Sequence, residues 1–574
     1  MPIHNREIAD LFTRLADLLE IDGASPYRVR AYRQASETIA GLSEALSDPS
    51  REEKDYSRLP GVGESIAEKI ATIVDTGRLP QLEELEERLP ADLSEMMQLS
   101  GLGPKRVKAL HQDLGVDTLA DLKRAVERHR VRELAGFGAK TEQTIGERLA
   151  RWEGEEKRTR LLEAEDIVAP LLRYLESIDG VKRVTVAGSY RRRKPTVGDL
   201  DILVTARKGT PVMERFSAYD EVREVVSRGD TRSTVMLRSG MQVDLRLVPQ
   251  VAYGAALHYF TGSRSHNIAL RRIGVKKGLK INEYGVFRDD ERIAGGNEDE
   301  VYDSVGLPYI EPELRENRGE LEAAKEDRLP RLIEPGDIRG DLHAHTRASD
   351  GRDSLEDMAE AAAQRGYEYL AITDHSRRLT VASGLDEKRL AQQIEAIDRL
   401  NERLDGRIRV LKAIELDILE DGSLDLPDAV LDRLDLRVCS VHYKFDLSRK
   451  RQTERILRAM DNPRCNILAH PSGRLIGERD AYDLDLERVL EAAAERGCFL
   501  EVNAQPKRLD LDAAGCRLAK EARVRVAIST DAHSASNLAY MRFGVDQARR
   551  GWLQADEVIN TRGLDDLLQL LRRD

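Results

Sequence analysis

At 574 residues the chain is too long for one ordinary domain, and a typical domain of about 150 residues predicts three or four. With 34% charged and 41% hydrophobic residues it is a heavily charged globular chain, because apolar periodicity recurs along its length and excludes a disordered composition. The formal net charge of -12 argues against coating of nucleic acid by bulk charge but leaves room for local basic tracks, and MPIHNREIAD, with no long apolar run after it, predicts a cytoplasmic protein without membrane association.

The opening segment has helical periodicity, as in IADLFTRLADLLEI, and then repeats one pattern: LPGVGESIAEKI from Leu59, LSGLGPKRVKAL from Leu99 and LAGFGAKTEQTI from Leu134. In each, an apolar residue precedes Gly-x-Gly and a helical stretch follows. Glycine permits a positive φ and a close backbone approach, and the free N–H groups that open the next helix suit a phosphate. The repeats resemble the helix-hairpin-helix motif, which grips the DNA backbone without reading sequence. Gly61, Gly63, Gly101, Gly103 and Lys105 are the candidate DNA contacts.

The central segment is organised around AGSYRRRKPTVGDLDILV, Ala187 to Val204. A strand places residues i and i+2 on one face, so Asp199 and Asp201 point together while Leu200, Ile202 and Val204 enter a core. MQVDLRLV puts Asp244 on the polar face of a second strand, able to join them if the strands are neighbours. Three carboxylates can hold two divalent cations for in-line phosphoryl transfer. Between Thr261 and Asn282 six Lys or Arg residues occur with no acid, a track suited to a phosphate backbone or a triphosphate.

GSYRRR with GDLDILV, then VDLRLV, YFTGS with HN, and LKINEYG resemble the family X DNA polymerases, the DNA polymerase beta group, over about residues 1 to 318. The resemblance implies that Asp199, Asp201 and Asp244 hold two Mg²⁺ or Mn²⁺ ions. It also implies that Gly188, Ser189, Arg192 and Gly198 hold the incoming triphosphate, that Tyr259, Phe260 and Gly262 line the sugar pocket, and that Asn267 and Arg271 reach the minor-groove side of the nascent pair. Lys69 matches the Schiff-base lysine of a lyase site, with Arg28 and Tyr32 where a 5'-phosphate is held. Three positions depart from the family pattern: Gln242 stands where an arginine is usual beside the third aspartate, Arg264 replaces an acid, and Ser65 replaces a lysine.

A polar stretch punctuated by Pro312, Pro330 and Pro335 reads as a linker. Beyond it, seven short apolar runs alternate with amphipathic helices, predicting a (βα)7 barrel with its chemistry at the C-terminal strand ends. The runs place His343, His345, His375, Glu415, His442, His470, Asp531 and His533 there, with Asp350 just after the first. Every histidine beyond residue 340 lies in such a motif, which points to a metal site. Imidazole and carboxylate together suit Zn²⁺, Mn²⁺ or Fe²⁺. These motifs resemble the polymerase and histidinol phosphatase (PHP) domain, whose nine ligand positions are all matched. That implies up to three ions and 3'-5' exonuclease activity, with AP-endonuclease and 3'-phosphatase activities as companions. Cys439, Cys465, Cys498 and Cys516 lack close spacing and predict neither a disulfide framework nor a thiolate zinc site.

The expected architecture is multidomain: a helical lyase-like region over 1–90, a second helix-hairpin-helix region over 91–155, an α+β nucleotidyltransferase palm over 156–255, a nascent-base-pair subdomain over 256–318, a linker over 319–337 and the barrel over 338–574. Gapped or nicked DNA and dNTPs are the expected partners of a monomer. Two other readings stay open: a DNA-end nuclease whose polymerase head only binds, and a small-molecule phosphatase.

Overall fold

The computed structural model describes residues 5–40, 46, 55–59, 61–86, 88–89, 92–97, 102–154 and 158–572. The chain forms two compact units, residues 1–156 with 477–480, and residues 157–476 with 481–574.

The first unit is helical. In α1 (Asn5–Asp22) the residues Ile8, Phe12, Leu15 and Leu19 recur at helical spacing and are buried, which gives the stripe that α2 (Pro26–Ala40) covers. Gly61 has φ +74° and Gly136 φ +84°, the left-handed turn that an L side chain adopts with strain. Gly63 and Gly103 are the N-caps of α3 (Glu64–Thr76) and α4 (Pro104–Leu114), and Gly138 precedes α5 (Ala139–Gly154). Each helix therefore opens with unsatisfied N–H groups. Gly101 lies outside the described residues.

The second unit begins with α6 (Leu161–Glu176) packed on a five-stranded sheet of β1 (Val181–Val186), β2 (Asp199–Ala206), β3 (Val222–Arg228), β4 (Arg232–Leu237) and β5 (Gln242–Leu247). The strand order is β1-β2-β5-β4-β3, with β2 and β5 parallel and the other pairs antiparallel. The register sets Asp201 directly opposite Asp244. Leu200, Ile202 and Val204 are fully buried. Short helix α7 (Gly188–Arg191) follows β1, and α8 (Tyr253–Thr261) and α9 (Arg264–Lys276) follow β5. A three-stranded sheet, β6 (Leu279–Asn282), β7 (Gly285–Arg288) and β8 (Glu291–Ala294), then packs against α9.

Residues 319–337 are packed structure. Helix Glu320–Lys325 buries Leu321, Ala323 and Ala324 in the same core as Leu270, Ile281 and Tyr302, so proline punctuation here marks turns between buried pieces.

The barrel is a seven-stranded parallel sheet in sequence order: β9 (Gly340–Ala344), β10 (Tyr369–Ile372), β11 (Arg409–Asp417), β12 (Leu436–Ser440), β13 (Ile467–Leu468), β14 (Phe499–Asn503) and β15 (Val526–Ser529). The His345 N–H donates to the Ala532 carbonyl at 2.8 Å and draws the first and last strands together. These strands are buried on both faces, as parallel strands covered by helices are. Helix α10 (Met541–Arg550) follows the last strand. A Cβ at Gly544 would stand 2.5 Å from Ile528 and 2.8 Å from Ala504, so glycine lets α10 lie directly on the strand ends. From there α10 sends Phe543 into the palm core beside Leu509, where both are buried. The four cysteines are buried barrel thiols. No described helix is long and apolar enough to cross a membrane.

Candidate active sites

A cavity of about 640 Å³ opens beside β2 and is lined by Gly188, Ser189, Arg192, Asp199, Asp201, Tyr259, Phe260, Gly262, Asn267 and Arg271, with Arg158, Lys194, Arg264 and Ile268. The residues expected to bind nucleotide thus gather in one place, apart from Gly198, which adjoins Asp199 without lining the cavity. A Cβ at Gly188, whose φ is +62°, would stand 2.9 Å from Asp201 Oδ2, so only glycine lets the turn lie on the carboxylate. Burial pushes the Asp201 carboxyl up to about 7, with Asp199 and Asp244 adding to it. That crowding of negative charge is what a divalent cation would relieve.

Asp244 is held differently. Its Oδ1 accepts from Thr234 Oγ1 at 2.6 Å and from Arg232 at 3.0 Å, and its Oδ2 from Gln242 Nε2 at 3.0 Å. Burial opposes ionisation, yet these hydrogen bonds keep the group below the usual carboxylate range. The guanidinium missing at position 242 therefore arrives from β4 as Arg232. The three palm aspartates are not among the sets of described donors whose ligand atoms fall within 4.8 Å of one another.

The three consecutive arginines part company. Arg191 donates to Glu298 at 2.6 and 2.9 Å and to Thr261 Oγ1 at 2.7 Å. Arg192 donates to Glu316 at 3.1 Å and to the Thr261 carbonyl, and Arg193 spans Glu165 and Asp546. Only Arg192 lines the cavity. The Asn267 amide donates to the Tyr259 carbonyl at 2.7 Å, Arg271 lies over the Tyr259 ring and Arg246 over Phe260.

At the barrel mouth, three overlapping donor sets have ligand atoms within 4.8 Å of one another: His345, Asp350, His375 and His533; His343, His345 and Glu415; and His375, Glu415 and His442. Asp531 Oδ1 lies 3.2 Å from His345 Nε2, and His470 Nε2 lies 3.0 Å from Glu415 Oε1. All nine expected donors are therefore in one cluster. Its chemistry fits metal ions. His343 Nε2, both His345 nitrogens, His375 Nδ1, His470 Nδ1 and Glu415 Oε2 are buried without a well-aligned hydrogen bond, even where a carboxylate oxygen stands close, as Glu415 Oε2 does 2.8 Å from His375 Nδ1, a cost that ligation would remove. Burial, with His533 and His375 nearby, pushes His345 down to about 4, leaving a neutral imidazole with one nitrogen lone pair to donate. Around Glu415, burial is outweighed by His375, His442 and His343, which hold its carboxyl well below the usual range.

A second layer of carboxylates was not read from the sequence. Glu501 accepts from His343 Nδ1 and from the His470 N–H, each at 2.7 Å, and Asp417 accepts from His442 Nδ1 at 3.1 Å. Such bonds fix the tautomer and aim of a ligating imidazole. CFLEVNA contains the one apolar run without a ligand, and the Glu501/Asn503 alternation inside it was the available signal. Arg508 Nε stands 3.4 Å from Asp531 Oδ2.

In the helical unit Lys69 is half-buried on α3, with its ammonium donating to Ser65 O at 3.2 Å and to Ser65 Oγ at 3.1 Å. Arg28 is exposed. Tyr32 is buried against Phe12 with its hydroxyl donating to Gln81, and Lys105 is exposed in the first turn of α4.

Comparison with known families agrees with this geometry. Residues 3–79 match a helix-hairpin-helix domain and 93–151 a helix-hairpin-helix tandem. Residues 160–249 match the DNA polymerase beta palm, 256–316 the DNA polymerase beta thumb, and 341–505 the PHP domain. Asp531 and His533 lie beyond that last match, and the seventh strand brings them in. DNA polymerase lambda of Arabidopsis thaliana is 28% identical over 349 residues, 55% of this chain and 62% of its own. A probable phosphatase of Caldanaerobacter subterraneus is 32% identical over 206 residues, 34% of this chain and 75% of its own. The DNA polymerase/3'-5' exonuclease PolX of Bacillus subtilis is 37% identical over 575 residues, covering 100% of each chain. That end-to-end similarity, with palm, thumb and PHP modules in one polypeptide, shows that the chain belongs to the PolX family of family X DNA polymerases, in which polymerase beta-like domains are joined to a C-terminal PHP domain.

Proposed function

We propose that the protein fills short gaps in DNA with its palm and trims 3' ends with its barrel, as two separate metal-dependent sites. The observation that carries this reading is the pairing of one nucleotide-sized cavity containing Asp199, Asp201, Ser189 and Arg192 with a nine-donor cluster on a separate barrel.

In the palm, Ser189 and Arg192 bind the triphosphate, the Tyr259 and Phe260 rings, edge to face at 5.0 Å, wall the sugar, and Asp199, Asp201 and Asp244 hold Mg²⁺ or Mn²⁺. Bound there, two such cations supply the charge that stabilises an in-line displacement in which a primer 3' hydroxyl bonds to the α-phosphorus and pyrophosphate leaves. Asp244, kept below the usual carboxylate range against its burial by hydrogen bonds to Thr234, Gln242 and Arg232, would serve as a ligand, and the proton of the 3' hydroxyl leaves to solvent.

In the barrel, the nine donors hold up to three Mn²⁺, Zn²⁺ or Fe²⁺ ions, which supply Lewis-acid charge for phosphodiester hydrolysis. Glu501 and Asp417 aim His343 and His442, and Arg508 offers a guanidinium to the entering phosphate. AP-endonuclease and 3'-phosphatase activities belong to the same donors. The glycines of the helix-hairpin-helix repeats, Gly61, Gly63, Gly101 and Gly103, with Lys105, hold the DNA backbone.

Asp201→Ala should lower gap filling by about a thousandfold or more and spare the exonuclease, and His345→Ala should do the reverse. Loss of both activities from either substitution, in folded protein, would refute two independent sites. A second reading, a nuclease whose palm only binds DNA ends, draws on the internal pairing of Arg192 and Asn267. It predicts normal gap binding with no nucleotide incorporation in the unsubstituted protein.

A further inference from the structure

Helix α10 belongs to the barrel, yet Arg542, Phe543, Asp546, Arg549 and Arg550 all close on the polymerase. Asp546 accepts from Arg193 at 2.7 Å, and Arg549 donates to Glu313 at 2.7 Å. Arg550, one turn beyond Asp546, donates to the Arg192 carbonyl at 2.5 Å and to Glu316 Oε1 at 3.3 Å. That oxygen also accepts from Arg192 Nε at 3.1 Å. The side chains of Arg550, Glu316 and Arg192 are 6%, 16% and 11% exposed. One nearly buried carboxylate thus sits between a guanidinium lining the nucleotide cavity and another from the nuclease domain.

We propose that Arg550 is a positioning residue of the polymerase reaction: it anchors the backbone of Arg192 and keeps Glu316 paired when Arg192 turns to the nucleotide triphosphate. The inference rests on the reading of Arg192 as a triphosphate ligand. A buried carboxylate that loses its partner is strongly destabilised, whereas one that keeps a second guanidinium is not. With Arg550 present, nucleotide binding draws Arg192 away at little cost. With Arg550 gone, Arg192 is the one guanidinium among the described residues that still donates to the Glu316 carboxylate, with the Lys194 ammonium farther off as its other positive neighbour, so Glu316 competes directly with the triphosphate. The competition acts on the ground state, so it raises KM and leaves kcat in place.

The test is steady-state gap filling by the full-length protein, with the 3'-5' exonuclease of the same preparation as the control for folding. Arg550→Gln should raise the dNTP KM about tenfold with kcat within about twofold. Adding Glu316→Gln should restore KM toward that of Glu316→Gln alone, because no charged carboxylate then competes. If Arg550→Gln loses the exonuclease too, Arg550→Lys carries the test: charge without the two-pronged fork should raise KM by about threefold. An unchanged KM in a folded Arg550 variant, or a double variant as impaired as Arg550→Gln, overturns the inference. Arg192→Ala separates the two failures. If it leaves the dNTP KM unchanged, the triphosphate reading of Arg192 is wrong. If it raises KM while Arg550 variants do not, only the role of Arg550 is wrong.

Discussion

In the palm, Asp199, Asp201 and Asp244 share one sheet face without forming a donor set within 4.8 Å among the described residues, one of them bound to Arg232, Thr234 and Gln242. In the barrel, donors from separate strands crowd until their ligand atoms fall within 4.8 Å of one another. The palm site is half-made, its carboxylates repelling one another beside an open cavity lined by Arg192, Lys194, Arg264 and Arg271. On the proposed reading nucleotide and cation would complete it together, as suits a site that must release pyrophosphate and reload. The barrel site is preassembled, with His343 and His442 aimed by buried carboxylates. Such a donor set would hold ions tightly.

The sharpest way to break this contrast is to disturb the aim of the barrel ligands without touching a ligand. Glu501→Gln keeps the shape but weakens the bonds to His343 Nδ1 and the His470 N–H. Outer-layer substitutions of this kind cost about 10–100-fold in metal affinity or activity. The metal retained after gel filtration and the exonuclease rate should fall together, while gap filling stays unchanged. Retention equal to that of the unsubstituted protein would mean the barrel cluster does not depend on preassembly.

The two sites also differed in how legible they were. Strand-end histidines and the Asp-x-Asp strand could be read directly, because residue type and spacing already specify the ligand face of a strand. Glu501 and Asp417 act through a neighbouring imidazole, so their i, i+2 spacing with Asn503 and Glu415 marks a polar strand face without saying which histidine each one aims. Arg232 restores on β4 the guanidinium that Gln242 lacks on β5, and only the register of the two strands reveals it. The palm core is completed by Leu509 and Phe543, hundreds of positions downstream, where local periodicity records burial but not the partner. Residues 319–337 read as a linker because their prolines are visible and the packing of Leu321 and Ala324 on the thumb is not. Tyr32, expected beside a phosphate, has its ring in a helix–helix core.

A smaller effect tests the half-made palm. The Asp201 carboxyl is raised from the usual 3.8 to about 7 in the folded protein, so between those values the native state binds more protons than the unfolded chain and stability falls as pH rises. In metal-free protein, Asp201→Asn should therefore raise the thermal midpoint, by about 2–4 °C above neutral pH, with the gain vanishing toward about pH 4. Saturating Mg²⁺ should erase the advantage, since the charged carboxylate ligates the cation far better than a neutral amide oxygen. An equal gain at both ends of the pH range would show that the effect is packing and not relief of charge.

The smallest effect concerns Arg232. It is more than half exposed (57%) where it meets Asp244, so solvent screens the pair and its worth is modest. Thr234 and Gln242 continue to hold the carboxylate when it is removed. Arg232→Ala should lower the gap-filling kcat by about threefold with little change in the dNTP KM. Gln242→Arg in that background should restore it, because the Gln242 amide already stands 3.0 Å from Asp244 Oδ2 and a guanidinium on the same strand can take over. If kcat holds while gapped-DNA affinity falls with a shallower salt dependence, Arg232 serves the DNA backbone instead. In that case Thr234 and Gln242 alone place the third carboxylate.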